Sequence, residues 1–551
     1  MHLKLSRAII YTLGLIAPFL VAYAALEMSR LWSHTSDEPV HIAAGLELIE
    51  RGTYRYEAQH PPLSRIAAAS VPYLYGLRGR YQSDAWDDGF RILAGDSIEH
   101  YRQTLQRART GSVVFLALSG IIVFVWSAAH CSYLIAFIIT LLYLSIPTII
   151  AHHSLATTDG ALNFSILLCA ALLAYWKRAL GVRRTCLLGI GIGLALASKI
   201  TAIPFLFCLF LAFTICTPRE QRPPARAILK HVTLVFFISL LTLWCTYGFE
   251  VSKLAESKRA DEVLAHLPSN QYGDLLRAII NTPLPLARYV TGIASVVRHA
   301  REGHPAFFWG ETSTNGWLMF FPVALLIKTP LPTLILGVGA CLFLVLYWCD
   351  SRLKAEAYPL IAAIFILLSV LPSSINIGVR HILPVFGLVL MGCGPVLEFC
   401  RRRFNRTAVS VVVGLLLLLF SQLASTRSQF PHFISYFNPV PNLLGYQGYE
   451  IICNSDFDWG QDGYLLRNYL LNHQIEGYIH EAGTWTTADD TILFPRHQRY
   501  QQQPTGLIVT NRCLSASTGV PLETLTFLKE KTPLAYLGET TLVYALEDPV
   551  H

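Results

Sequence analysis

Ile9-Ile-Tyr-Thr-Leu-Gly-Leu-Ile-Ala-Pro-Phe-Leu-Val-Ala-Tyr-Ala-Ala-Leu26 runs for eighteen positions without a charged residue. At about 1.5 Å per helical residue, such a run crosses most of a ~30 Å hydrocarbon layer. Lys4 and Arg7 precede it, as in a signal peptide, but no convincing small-residue cleavage site follows. It reads as an uncleaved first span. Outward from it, runs of the same kind recur near 9–27, 111–129, 132–151, 160–176, 185–199, 201–217, 229–248, 329–348, 357–373, 381–399 and 407–424. The pair over 185–217 reads as a hairpin broken near Lys199, and 316–328 is apolar but short. The chain is 53% apolar and only 14% charged, which excludes an ordinary soluble protein of 551 residues. The pattern predicts an all-α polytopic membrane protein of about eleven transmembrane helices.

Charge placement orients these spans. The formal net charge of +7 is modest and points to no nucleic acid. Basic residues collect in short connections: Lys177, Arg178, Arg183 and Arg184; Arg219, Arg222, Arg226 and Lys230; Arg352 and Lys354; Arg401, Arg402, Arg403 and Arg406. The positive-inside bias makes these connections and the N-terminus cytoplasmic. Eleven crossings then leave three large segments outside: 28–110, 249–328, and a polar tail over 425–551. That tail contains the strand-like runs Gly506-Leu-Ile-Val-Thr510 and Thr541-Leu-Val-Tyr-Ala545. The expected division is a transmembrane region over 1–424 and a smaller α/β-like extracytoplasmic domain over 425–551. Most cysteines lie in apolar runs, where they act as small hydrophobes. Cys453 and Cys513 lie in the tail, either disulfide-bonded or as two free thiols.

A charge near a membrane is costly, so its position is informative. Asp37 and Glu38 follow the first span, and His152, His153 and Asp159 lie between the third and fourth. Lys199 ends the fifth, Lys328 opens the eighth, and Arg380 and His381 open the tenth. All fall at the outer face on this topology. A transporter is expected to hold such groups near the midplane, and no internal repeat of the kind common in transporters is visible. Each group also has an ordinary structural explanation. Asp37-Glu38-Pro39 is a standard helix start, and Asp159 suits a helix cap. His60-Pro61-Pro62-Leu63 suits a rigid turn into a helix over 63–76. Lys199 can snorkel to the interface, while the glycines before it, from Gly189, suit close helix packing better than a nucleotide loop. The adjacent His152 and His153 point about 100° apart on a helix, so no metal site is assigned, and a divalent metal is left open. In the tail, Asp456, Asp458, Trp459, Gln461 and Asp462 suit either sugar binding or a packed turn. The packed turn is favoured because a Trp in a polar loop often buries itself.

Together these residues resemble a known family. Asp37-Glu38 after the first span, followed by His60-Pro-Pro-Leu63, resembles the first outer loop of protein O-mannosyltransferases. These belong to the GT-C superfamily of polyprenyl-phosphate-sugar-dependent glycosyltransferases, which also holds the lipid A aminoarabinose transferase. Phe321-Pro-Val-Ala-Leu-Leu-Ile-Lys-Thr-Pro-Leu-Pro332, Asn376-Ile-Gly-Val-Arg-His-Ile-Leu-Pro384, Tyr436-Phe-Asn438 and Asn454-Ser-Asp-Phe-Asp-Trp-Gly-Gln-Asp462 are similar to stretches of bacterial mannosyltransferase-like relatives. The resemblance implies a GT-C fold with a long first outer loop. It implies a polyprenyl-phosphate-linked sugar as donor, a hydroxyl acceptor, a membrane-lipid environment and an inverting displacement, in a bacterial inner membrane with the site facing the periplasm. Carried over by motif, Asp37 is the general base and Glu38 helps seat the acceptor. Asp159, Lys199, Lys328, Arg380 and His381 are candidates for holding the donor phosphate or sugar, and His60, Asp458 and Trp459 for acceptor contact or loop positioning. The segment 249–328 is too short for the inserted β-trefoil of the eukaryotic members, so protein, lipid and glycan acceptors all stay open. A flippase for a lipid-linked saccharide and a non-enzymatic scaffold are the competing readings.

Overall fold

The computed structural model describes residues 2–221, 224–256, 266, 270–404, 408–474, 478–480, 506–513, 528 and 530–546. Arg222 and Arg406 of the basic connections lie outside them. A helix stands at each of the eleven apolar runs, but not all are equal. Among the described residues six helices are long and apolar enough to cross a membrane: Arg7–Ser29, Ile98–His130, Asp159–Arg178, Arg226–Thr246, Pro384–Arg403 and Val409–Ser428. The run over 132–151 is two helices, Tyr133–Leu144 and Pro147–His153, bent by 65°. Pro147 explains the break, since it lacks an N–H and sits at the first position of the second helix. Ala202–Cys216, Leu331–Leu346 and Tyr358–Val370 are shorter apolar helices. Val182–Ser198 ends at Lys199, whose backbone is extended, and the broken hairpin is thus present.

Two features differ in extent from the sequence reading. The second long helix begins at Ile98 rather than near 111, running 33 residues, about 50 Å. Its first turns belong to the outer loop. The helix expected over 63–76 ends at Leu74, after Pro72.

The loop after the first span is itself helical: Glu38–Arg51, Leu63–Leu74 and Ala85–Ala94 precede the long helix. The spans share one large apolar core. A second core joins Ile42, Leu46, Ala68 and Leu105 of the outer-loop region to Tyr464, Leu466, Val509 and Val543 of the tail. Close backbone approach tightens the bundle where Gly193 faces the helix Ala225–Thr246, since a Cβ there would stand 2.7 Å from the Ser239 carbonyl oxygen. The tail forms a four-stranded mixed sheet. Tyr478–His480 pairs parallel with Gly506–Asn511, which pairs antiparallel with Thr541–Leu546, itself antiparallel to Ala535–Leu537. Cys453 and Cys513 form a disulfide with their Cα atoms 5.8 Å apart, so the tail strands are tied to the loop 453–462.

Candidate functional site

Asp37 occupies the N-cap position of Glu38–Arg51, yet its side chain makes no capping hydrogen bond. Instead Arg380 Nη1 lies 3.4 Å from Asp37 Oδ2 and 3.3 Å from Asp159 Oδ2. Lys199 Nζ donates to Asp159 Oδ1 at 2.6 Å. Two carboxylates and two cations from four distant places in the chain therefore form one connected group. Asp159 is fully buried and held from both sides, and Lys199 and Arg380 are nearly so, whereas the Asp37 side chain keeps 28% of its surface exposed. Burial of unpaired charges would cost several kcal/mol each, and here every buried member has an opposite partner. The one carboxylate left open to a ligand is Asp37.

Arg380 is fixed more firmly than its ion pairs alone require. Its Nε donates to Ser455 Oγ at 3.0 Å, and its guanidinium lies 4.0 Å over the Trp459 ring. Among the described residues its Nη2 makes no hydrogen bond, so donors remain for a ligand. The loop carrying it is clamped at its base: the Val379 N–H donates to both Asp456 carboxylate oxygens, at 2.9 and 2.8 Å. Gly378, at φ +147°, makes this possible, because a Cβ there would sit 2.8 Å from Asp456 Oδ1 and 2.9 Å from Ser455 Oγ. The same motif holds the Asp37 loop. Ser36 N–H donates to the Trp459 carbonyl and Ser33 N–H to the Gln461 carbonyl, each at 3.1 Å. Asp458 accepts from Gly460 N–H at 3.0 Å, closing the turn, and Trp459 is buried. Asp458 thus bonds within its own turn, whereas Trp459 touches both the Asp37 loop, through its carbonyl, and Arg380, through its ring.

Glu38 points away from this group. Arg109 grips it through two bonds, Nε to Oε1 at 2.8 Å and Nη2 to Oε2 at 2.7 Å. Ala156 and Thr35 N–H groups donate to it at 2.9 and 2.8 Å. The same guanidinium donates to the carbonyls of Ser29, Trp32 and Ser33. Burial by itself pushes the Glu38 carboxyl up, but the Arg109 charge and these donors outweigh it and hold the pKa below the ordinary 4.5. Glu38 thus ties the end of the first span, the outer loop and the segment before Asp159 together. Lys328 does not join the group either. Its ammonium donates to the carbonyls of Ile434, at 2.8 Å, and Asp456, and stands 4.3 Å from the Phe437 ring.

His60 lies in a neighbouring network. Its Nδ1 is 3.1 Å from Glu57, which also binds the buried Arg65, and its ring is 5.5 Å from His41. Arg65 further donates to Tyr54 Oη at 2.7 Å and reaches His41 Nδ1 at 3.1 Å. His381 follows Arg380 on the same short turn, Val379–Ile382, with Nε2 buried and unbonded among the described residues. His152 and His153 diverge: the His152 ring lies 5.9 Å from Trp459, and His153 Nε2 lies 3.1 Å from Asn163. Among the described residues no three His, Cys, Asp or Glu side chains converge on a metal position. Asp37 and Asp159 share Arg380, and Asp159 also holds Lys199. These residues therefore do not fit the oxygen cage that a hard divalent cation takes. Arg109 and Arg65 carried no separate signal in the sequence. A basic residue inside a helix next to an apolar run was the available hint.

With this geometry in hand, the chain can be set beside solved structures. It is similar to ArnT from Cupriavidus metallidurans bound to undecaprenyl phosphate, at 12% identity and a TM-score of 0.47 over 97% of each chain. It is also similar to the Archaeoglobus fulgidus oligosaccharyltransferase in complex with Zn and sulfate, at 12% identity and a TM-score of 0.46, over 87% of this chain and 62% of that one. No protein-family model and no curated protein sequence matches this chain.

Proposed function

We propose that this integral membrane protein is an inverting glycosyltransferase of the GT-C type. It moves a sugar, mannose or similar, from a polyprenyl-phosphate donor to a hydroxyl acceptor on a protein, lipid or glycan at the extracytoplasmic face. The observation that carries the reading is the open Asp37 carboxylate beside Arg380, with Asp159 and Lys199 buried behind it. The acceptor hydroxyl attacks the anomeric carbon and gives its proton to Asp37 as the new bond forms. The bond from that carbon to the phosphate oxygen breaks, and its electron pair leaves with the polyprenyl phosphate. Arg380 and Lys199, aimed by Asp159, stabilise the growing phosphate charge in a site shielded from bulk water. His381 lies at the same place and is assigned to the donor side. A phosphate is already a good leaving group, so no second acid and no protein nucleophile are needed.

The disulfide between Cys453 and Cys513 supports an extracytoplasmic tail, because such bonds persist in oxidising compartments. The basic connections at the opposite end of the bundle support the same orientation, in a bacterial inner membrane with the site towards the periplasm.

The test is sugar transfer from polyprenyl-phosphate mannose by purified protein, wild type beside Asp37→Asn. Removing the base is expected to lower transfer about 10²–10⁴-fold with the fold intact. Normal transfer by the variant would overturn the assignment of Asp37. If neither protein transfers mannose, other donor sugars are next. Translocation of a lipid-linked saccharide across vesicles, without a new glycosidic bond, would replace the enzyme reading with a flippase.

A further inference from the structure

At the end of the bundle opposite Asp37 a cavity of about 620 Å³ opens between the first residues of the first span and the ends of three other helices. The helix Pro384–Arg403 starts beside the Asp37 group and ends at this cavity, which places the two sites about 30 Å apart. We propose that this cavity binds a net-anionic phosphodiester lipid headgroup from the leaflet facing away from the catalytic group.

The charge inventory is the first support. Arg7, Arg352, Arg401, Arg402 and Arg403 line the cavity, against three carboxylates. All three carboxylates are engaged. Glu398 accepts from Arg401 at 2.9 and 2.7 Å and from Arg402 at 2.7 Å. Glu356 pairs with Arg352 at 3.0 Å. Asp350 accepts from the Leu353 N–H at 2.8 Å as a helix cap. Among the described residues Arg7 and Arg403 have no ion-pair partner, so a surplus of guanidinium faces the cavity. Planar guanidinium forks suit phosphate oxygens. The volume lies in the range of small-ligand pockets.

Position distinguishes a lipid from a free anion. Arg7 begins one membrane-spanning helix and Arg403 ends another, so both stand at the boundary between apolar span and water, the level of lipid phosphates. Just beyond them on the apolar side, Ile9 and Leu134 expose their side chains, at 51% and 38%. Acyl chains of a lipid held in the cavity would lie along these residues. The bland alternative is that last-turn arginines merely complement helix ends and obey the positive-inside bias. That accounts for charge, but not for a cavity lined by five arginines from three separate parts of the chain.

The experiment uses the full chain in neutral detergent with three probes: short-chain phosphatidylglycerol, short-chain phosphatidylcholine and inorganic phosphate. Binding is read by native mass spectrometry and by the shift in unfolding temperature. Phosphatidylglycerol is expected to bind and stabilise, and the other two are not. The double variant Arg7→Gln with Arg403→Gln is expected to weaken phosphatidylglycerol at least about tenfold, the loss of one or two charge-assisted contacts. Equal binding of the zwitterionic lipid, a matching shift with inorganic phosphate, or unchanged affinity in the double variant would each overturn the proposal. Should the variant fail to fold, a photoactivatable phosphatidylglycerol on the wild-type protein decides. Crosslinks at 129–132 or 395–403 support the site, and crosslinks confined to other parts of the lipid-facing surface reject it.

Discussion

Asp37 and Glu38 are neighbours with opposite fates. Glu38 is sealed against Arg109 with every carboxylate oxygen satisfied, while Asp37 keeps an exposed face beside Arg380. Replacing the two therefore has different consequences. Arg109→Met leaves a buried carboxylate without its cation and is expected to cost about 3–5 kcal/mol, read as a large fall in unfolding temperature. Asp37→Asn leaves the unfolding temperature nearly unchanged and removes activity. A variant pair that behaved the other way round would reverse the roles assigned to them. A pH dependence follows from the same carboxylates. Burial raises the Glu57 carboxyl, but the Arg65 guanidinium outweighs it and holds the pKa well below the ordinary 4.5, as Arg109 does for Glu38. A depressed folded-state pKa contributes stability that is fully present above the unfolded value and lost as pH falls through the folded one. The outer loop is thus expected to be stable at pH 7 and to lose protection below about pH 4.5, visible as faster hydrogen exchange over residues 38–65. Glu57→Gln should flatten part of that dependence. The carboxylates at 37 and 159 were legible in the sequence because charge beside an apolar run is rare. That Arg380 bridges the two was not, because an ion pair across more than two hundred residues leaves no local pattern.

At the scale of elements, the short turn Val379–Ile382 is the piece on which the site turns. It is aimed by contacts with a loop nearly eighty residues later: Asp456 holds the Val379 N–H, Ser455 the Arg380 Nε, and Trp459 the guanidinium face. Gly378→Ala pushes a methyl group against Asp456 and forces an unfavourable positive φ. The backbone cost is on the order of 1–3 kcal/mol, and displacement of Arg380 is expected to lower transfer about tenfold or more. Steady-state kinetics should show the loss, with the protein still monodisperse. Unchanged kinetics would mean that Arg380 is placed by its ion pairs alone. Alternation of apolar runs and basic connections was enough to place the helices. It could not show that the helix from Ile98 continues the outer loop into the membrane, because Arg109 reads as a boundary when its buried partner is unknown.

At the scale of the molecule, the tail packs on the outer loop rather than hanging free. Val509 and Val543 of the sheet share a core with Ile42 and Leu46, Asp462 accepts from Thr540 Oγ1 at 2.8 Å, and the Cys453–Cys513 disulfide closes a loop of sequence separation 60. Loop-closure entropy for that length corresponds to about 4 kcal/mol. Cys513→Ser, or reduction, is expected to lower the unfolding temperature and to loosen the 453–462 loop. Because that loop positions both Asp37 and Arg380, sugar transfer should fall together with stability. Retained activity in a clearly destabilised variant would separate the tail from the site.

The sequence by itself determined the class of this protein: the apolar runs, the connections in which basic residues collect, and the placement of Asp37, Asp159, Lys199 and Arg380 beside the ends of apolar runs. These are local properties, set by the thickness of a bilayer and the cost of charge within it. Only the tertiary structure decided which charges meet. It sent Glu38 to Arg109 and Lys328 to backbone carbonyls, brought Lys199, Arg380 and Asp159 together, and left Asp37 open. Pairing of buried charges depends on geometry between distant segments, and no spacing along the chain encodes it.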